Sequence, residues 1–485
     1  MSDHRARYKN TGLDAKELRR RREENSIQLR KQKRDDVLSK RRTLGAPTND
    51  MDEDLDDLNR SSSPELGLTR DMIEGIMQDQ DQHILIESAQ KIRRLLSREP
   101  QPPFDEVIQN NLVPRLVQLL QISEDPLVQF EVAWILTNIC SGTTEQTRVV
   151  VNSGALPELV RLMRSPDIRV CEQAVWALGN IIGDNGQFRD AVISHNFVNA
   201  LLDLINSGLE LGFLRNATWV LVNLCRNKEP PTDSEVIKQI LPALMSLIGS
   251  DDQTILIDTT WAISYITELG PTYSQLVIDY GLVKKMTRLI SHEESKIKTA
   301  AIRALGCIAT GSDEQTQAVV DAGAIPALRN AFEGLNDRIA KEALWFLSNV
   351  VAGSQEQIQA VIDADLVPMI IHFLSNGDYQ QQKEASWAVF NFCLTGSQDQ
   401  LKVLIENGAV PALCDLLTLN DNTLIKNVLE ALKSLLRKCD DNTVRNQIEA
   451  CGGLDRIEAL QDSPNQEIYQ YSYVIIENYF SENDQ

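Results

Sequence analysis

The chain is 485 residues long, 24% charged and 42% apolar, with a formal net charge of −21, so it can bury a large core. Its glycine and proline content is too low for a collagen-like or wholly disordered chain. No run of eighteen apolar residues occurs, and the N-terminus has no apolar stretch, so neither a membrane-spanning helix nor a secretory signal is expected.

The charge is unevenly divided. Residues 1–42 hold fifteen Lys/Arg against seven Asp/Glu, whereas the rest of the chain holds 33 against 62. A basic arm is therefore joined to an acidic body. Within the arm, residues 14–40 read as a helix, because Asp14 and Glu17 have capping-box spacing and few breakers follow. Arg19, Arg20, Arg21, Arg22, Arg30, Lys31, Lys33 and Arg34 put positive charge around most of that helix, leaving no apolar face to bury. Lys40-Arg41-Arg42 closes the arm. Residues 43–70 read as a flexible acidic linker, with Asp52-Glu53-Asp54-Leu55-Asp56-Asp57 and Ser61-Ser62-Ser63-Pro64.

From residue 71 onward a single period governs the chain. The six tryptophans, Trp134, Trp176, Trp219, Trp261, Trp345 and Trp387, are separated by 42, 43, 42, 84 and 42 residues, and Arg303 occupies the mark missing from the longest gap. Extended both ways, the ruler reaches Ile92, Leu429 and Tyr471, which makes about ten repeats of armadillo or HEAT length. Glycine and proline recur in phase, as in Gly154-Ala155-Leu156-Pro157, Gly323-Ala324-Ile325-Pro326 and Gly408-Ala409-Val410-Pro411. A glycine at a helix end followed by proline in the next first turn predicts a helical hairpin in each repeat. The expected fold is all-α: a right-handed superhelical solenoid over 71–485 with atypical end repeats that cap the stack.

In the helix around Trp134, the stripe Val132, Leu136 and Ile139 is the core face, while Trp134 and Asn138 share another face beside Glu131. The same trio recurs as Gln173/Trp176/Asn180, Glu342/Trp345/Asn349 and Glu384/Trp387/Asn391, with Trp219/Asn223 and Asp258/Trp261 as partial copies. A core tryptophan needs no amide one turn later. A groove for an extended Lys/Arg-rich peptide needs both: indoles attract cations, amides bond the peptide backbone, and carboxylates select positive charge.

Other classes of function fit poorly. No phosphate-binding loop, nucleophile elbow or dinucleotide fingerprint is present, so neither an enzyme nor a cofactor is expected. The eight cysteines never form a CxxC and the five histidines are scattered, so reduced buried thiols are expected and no metal site. Direct nucleic-acid binding is disfavoured, since only Tyr8 of the arm could stack on bases and the acidic body repels phosphates.

Ser141-Gly142-Thr143-Thr144-Glu145-Gln146-Thr147, Gln173-Ala174-Val175-Trp176-Ala177-Leu178-Gly179-Asn180 and Cys451-Gly452-Gly453-Leu454-Asp455-Arg456-Ile457-Glu458-Ala459-Leu460 resemble the importin-α (karyopherin-α) family. The resemblance covers almost the whole chain and implies a nuclear import adaptor with two grooves for nuclear localisation signals. The major groove would use Trp134, Asn138, Gln173, Trp176, Asn180, Trp219 and Asn223. Thr147 and Asp184 would hold the key signal lysine, and Asp258 would sit at the far edge. The minor groove would use Arg303, Glu342, Trp345, Asn349, Glu384, Trp387 and Asn391. It departs from the family pattern at Cys307, where an asparagine is expected, and Tyr265 stands where an asparagine would follow Trp261. By the same resemblance, the basic arm would bind importin-β, cargo proteins would bring the signals, an export receptor would recycle the adaptor, and the protein would shuttle between cytoplasm and nucleus.

Lys40-Arg41-Arg42 itself resembles a groove ligand. The 28 residues from 43 to 70 would span about 30 Å if flexible. Repeats two to four lie about 10–30 Å along the stack, so the tripeptide reaches the major groove at an effective concentration on the order of millimolar. Autoinhibition by the arm is therefore expected. The competing reading is a general armadillo scaffold for adhesion or signalling partners.

Overall fold

The computed structural model describes residues 39–42, 67–78, 81–98, 101–332, 337–439 and 442–481. Every regular element among them is helical. They divide into two compact units at Tyr265/Ile266. In the first unit the long helices are Gln82–Leu96, Pro126–Cys140, Ile168–Asp184, Leu211–Cys225 and Gln253–Thr267, with which the unit ends. In the second they are Ser295–Ile308, Asp337–Val350, Tyr379–Thr395, Asn422–Lys438 and Gln466–Tyr479. Each carries one mark of the 42-residue ruler, and this is the all-α armadillo fold. No single helix among the described residues is long and apolar enough to cross a membrane.

The repeat is not a two-helix hairpin. Two short helices precede most long ones, as Thr144–Asn152 and Ala155–Leu162 precede Ile168–Asp184. The extra short helix starts at a capping box: the hydroxyls of Thr143, Ser312, Ser354 and Ser397 accept from a glutamine three residues on, whose side chain returns the bond. The same glutamine ties repeats together. Gln357 Nε2 donates to the Asp313 carbonyl at 2.9 Å and Gln400 Nε2 to that of Gln355 at 2.8 Å.

The turn between the short helices needs a left-handed residue, supplied by Gly154 (φ 82°), Gly323 (79°), Gly408 (84°) and Gly452 (69°), and by Asn111 (55°) and Asn196 (60°). In one repeat Gln239 stands three residues before Pro242, where the others place that residue before their proline. There the two short helices merge into one, Ser234–Leu247, with Pro242 inside it.

Long helices begin at acidic or amide caps, such as Asp125, Asp167, Asp378, Asp421 and Asn465. Tryptophans pack on the preceding long helix through glycine. A Cβ on Gly179 would lie 2.6 Å from the Trp219 ring, and one on Gly306 2.4 Å from Trp345, closer than non-bonded atoms allow. Seven of the eight cysteines are buried and all are free; burial pushes the Cys140 and Cys171 thiols up to about 12.

Candidate functional site

The described residues of the arm, Ser39 to Arg42, lie against the long helices of the first unit. Ser39 and Lys40 form a bend and Arg41 and Arg42 are not helical, so the helix expected over 14–40 does not include its last two residues. The Ser39 carbonyl and both main-chain groups of Arg41 are instead bonded to side chains of the long helices. Arg41 donates its N–H to Asn180 Oδ1 at 2.8 Å, and its carbonyl accepts from Asn180 Nδ2 at 2.9 Å and Trp176 Nε1 at 3.0 Å. The Ser39 carbonyl accepts from Asn223 Nδ2 at 2.8 Å. Residues 14–38, with Arg19, Arg20, Arg21, Arg22, Arg30, Lys31, Lys33 and Arg34, lie outside the described residues.

Each of these amides also holds the fold. Asn180 Nδ2 reaches the Thr137 carbonyl and Asn223 Nδ2 the Gly179 carbonyl, both at 3.0 Å and both on the preceding long helix. Asn223 Oδ1 is taken by Arg226 Nε at 2.9 Å, which is why Asn223 makes one bond to the segment where Asn180 makes two. Close approach of the segment depends on Gly183, where a Cβ would lie 2.3 Å from the Ser39 carbonyl oxygen.

The side chains of Lys40 and Arg41 reach different partners. Lys40 Nζ donates to the Gly142 carbonyl at 2.9 Å and Thr147 Oγ1 at 3.0 Å, and pairs with the Asp184 carboxylate. Burial alone would raise the Asp184 pKa, but the Lys40 ammonium, with Asn185 and Thr144, outweighs it and holds the group below its ordinary value. Arg41 lies over the Trp219 ring, 4.7 Å from its centroid. Burial pulls its pKa down, Asp258 opposes that shift and Arg226 adds to it.

The sign of the pH dependence follows. Asp184 is depressed, so its pairing stabilises the fold above the ordinary value of 3.8 and is lost as pH falls through the lowered one. Because Lys228, lowered to about 7 in part by the Lys40 charge, titrates nearby, the difference in thermal midpoint between the natural chain and Lys40→Ala is expected to be constant only from about pH 6 to 5 and to shrink below the ordinary carboxylate value. A difference that vanished between about pH 6 and 5 would assign the effect to another group.

The remaining residues expected in the major groove have other surroundings. Trp134 is fully buried beneath Arg93, whose guanidinium lies 4.3 Å from the ring centroid and pairs with Glu131 at 2.8 Å. Asn138 Nδ2 donates to Ser97 Oγ at 3.0 Å. Gln173 turns inward, donating to Thr137 Oγ1 at 2.8 Å, and so braces two repeats. Trp134, Trp219 and Trp345 are essentially buried and Trp176 and Trp387 half-buried, Trp219 in part beneath Arg41. Core packing and cation contact use opposite faces of one ring, as Trp219 shows between Gly179 and Arg41.

In the second unit, Arg303 is buried and paired with Glu268 at 2.8 Å. Burial alone would lower its pKa, but Glu268, Glu342 and Cys307 raise it. Asn349 Nδ2 reaches the Gly306 carbonyl at 3.4 Å and Asn391 Nδ2 that of Ser348 at 2.8 Å, repeating the bracing role of Asn180. Trp387 meets Phe390 edge to face, and Glu342 and Glu384 are buried beside this row.

Sequence reasoning missed Arg93, Arg226 and Lys228. Lys228 Nζ caps the Asp184 helix by donating to the Ile182 carbonyl at 3.2 Å and to that of Gly183. Burial, then the Arg226 charge, push its pKa down to about 7. The period could have exposed it: Lys228 stands nine residues after Trp219, and Lys438, nine after Leu429, caps the preceding long helix at the Leu394 carbonyl (2.7 Å).

Residues 4–89 match the importin beta binding domain family. Residues 100–141, 143–183, 187–226, 230–268, 312–352 and 354–394 match the armadillo/beta-catenin-like repeat, and 442–485 an atypical Arm repeat. Importin subunit alpha-2 of Arabidopsis thaliana is 44% identical over 99% of this chain and 92% of its own length. Importin subunit alpha-3 of Caenorhabditis elegans is 43% identical over 100% and 94%, and importin subunit alpha-3 of Arabidopsis thaliana 38% over 99% and 92%. An engineered protein of known crystal structure superposes with a TM-score of 0.77 at 27% identity, over 84% of this chain and 99% of its own. With an importin-beta-binding segment ahead of armadillo repeats, and full-length relatives of one name, the chain belongs to the importin subunit alpha family of nuclear import adaptors.

Proposed function

We propose that this import adaptor grips lysine- and arginine-rich signals of its cargo in the groove around Thr147, Trp176, Asn180, Asp184, Trp219 and Asn223. Its own Lys40-Arg41-Arg42 occupies that groove until importin-β draws the arm away. The observation that carries this reading is the lysine subsite. One ammonium is met by a carboxylate, a hydroxyl and a carbonyl, beside an amide that bonds both main-chain groups of the next residue. Such a site reads positive charge at one side chain and an extended backbone at the next, and nothing else about the sequence.

In this reading residues 1–42 are the importin-β-binding arm, 43–70 the linker that lets the arm return, and 71–485 the carrier of cargo. Asp258 attracts the second cation of the signal, as its field on Arg41 supports. Trp134 and Asn138 extend the groove by a repeat. Glu342, Trp345, Asn349, Glu384, Trp387 and Asn391 form a second groove for two-cluster signals. The adaptor works in cytoplasm and nucleus, binds no nucleic acid directly, and is returned by an export receptor.

The test is assembly. Full-length chain mixed with importin-β and a cargo bearing a lysine-rich segment is expected to elute as a ternary complex by size exclusion. The same mixture with the lysines of that segment replaced by alanine is expected to yield the binary complex only. Equal capture of both cargoes would overturn the groove reading while leaving importin-β binding intact.

A further inference from the structure

The asparagine one turn after the ruler mark is replaced by Tyr265 in the last long helix of the first unit and by Cys307 in the first long helix of the second. The helix Ser295–Ile308 carries Arg303 at the tryptophan place and Cys307 at the asparagine place, whereas the next two long helices carry Trp345/Asn349 and Trp387/Asn391. The first unit shows what such an asparagine does to an extended chain. Asn223 bonds residue 39, and Asn180, one repeat earlier, bonds residue 41. A bound chain therefore runs against the order of the repeats and advances two residues per repeat. In the same register, a peptide held at Asn391 is held two residues later at Asn349, and after two more it arrives at Cys307.

We infer that Cys307 ends the backbone grip of the second groove, so that a signal's main chain is held at two steps there and released at the third. This rests on the reading of both grooves as signal sites. A thiol is a weak single donor and a weak acceptor, and cannot return the paired N–H and C=O bonds that Asn180 makes. Arg303 reinforces the break. It is buried, locked to Glu268 at 2.8 Å, and offers no ring for a signal cation to stack on. Among two-cluster signals, the N-terminal cluster, which the second groove takes because the chain runs against the repeats, consequently has no requirement for a basic residue or a free N–H at the Cys307 step.

The test uses full-length chain in complex with importin-β and two fluorescent peptides, one with a single lysine-rich cluster and one with two clusters joined by a glycine-serine linker. Cys307→Asn is expected to raise affinity for the two-cluster peptide about five- to tenfold, the effect of one or two added amide–backbone bonds, and to leave the single-cluster peptide unchanged. Cys307→Ser is expected to match the natural chain. Asn349→Cys, which copies the break one repeat on, is expected to weaken the two-cluster peptide about tenfold, again with no effect on the single-cluster one. If Asn349→Cys weakens the two-cluster peptide but Cys307→Asn changes nothing, the inference fails and the second groove stands. If neither variant distinguishes the two peptides, the second groove is not a signal site and the inference falls with it.

Discussion

Asp184→Lys, in the full-length chain bound to importin-β, is expected to weaken a single-cluster signal peptide by more than about a hundredfold by fluorescence anisotropy. Asp184 is nearly buried, its side chain 2% exposed, and it is the carboxylate that pairs with the ammonium seated between Thr147 and the Gly142 carbonyl. Removing one member of a buried, hydrogen-bonded charge pair costs about 2–5 kcal/mol, and reversing the charge adds repulsion at the same spot. Asp184→Asn keeps the shape and loses only the charge, so it is expected to fall between the two. Asp258→Asn should cost less than either, because Asp258 acts on Arg41 through its field and Arg41 also has the Trp219 face. Peptide affinity that survived Asp184→Lys would place the lysine subsite elsewhere in the molecule.

In the absence of importin-β, the double substitution Lys40→Ala/Arg41→Ala is expected to raise the affinity of the same peptide about 10- to 100-fold, measured by calorimetry on full-length chains. A tethered competitor acts at an effective concentration on the order of millimolar, so a segment of modest intrinsic affinity keeps the groove largely filled. Both residues take part in that competition: Lys40 fills the carboxylate subsite, and Arg41 engages Trp219 with its side chain and Asn180 with its backbone. With importin-β present, the natural chain and the variant should bind the peptide alike, because the arm is then engaged elsewhere. Equal affinities without importin-β would show that the segment does not compete for the groove.

The period of the tryptophans was enough to define the repeats, because each repeat of a solenoid packs on its neighbours in the same register and cannot shift phase without losing that packing. The pairing of Trp176 with Asn180 was equally legible, since i and i+4 share a helix face whatever surrounds them. The net charge of the arm and body follows from composition alone. Three things were decided only by tertiary structure. In four repeats the third helix starts at a glutamine that completes a capping box and simultaneously reaches the previous repeat. Gln173 was read as a groove residue because it stands where Glu131 does, yet it turns toward Thr137, a partner 36 residues away that no local spacing specifies. Arg93 and Arg226 engage Trp134 and Tyr265 from neighbouring helices. Periodicity tells which residues share a face of one helix. It is silent about which atoms of the next helix complete their hydrogen bonds, because those partners are set by how two helices pack and not by the spacing within either.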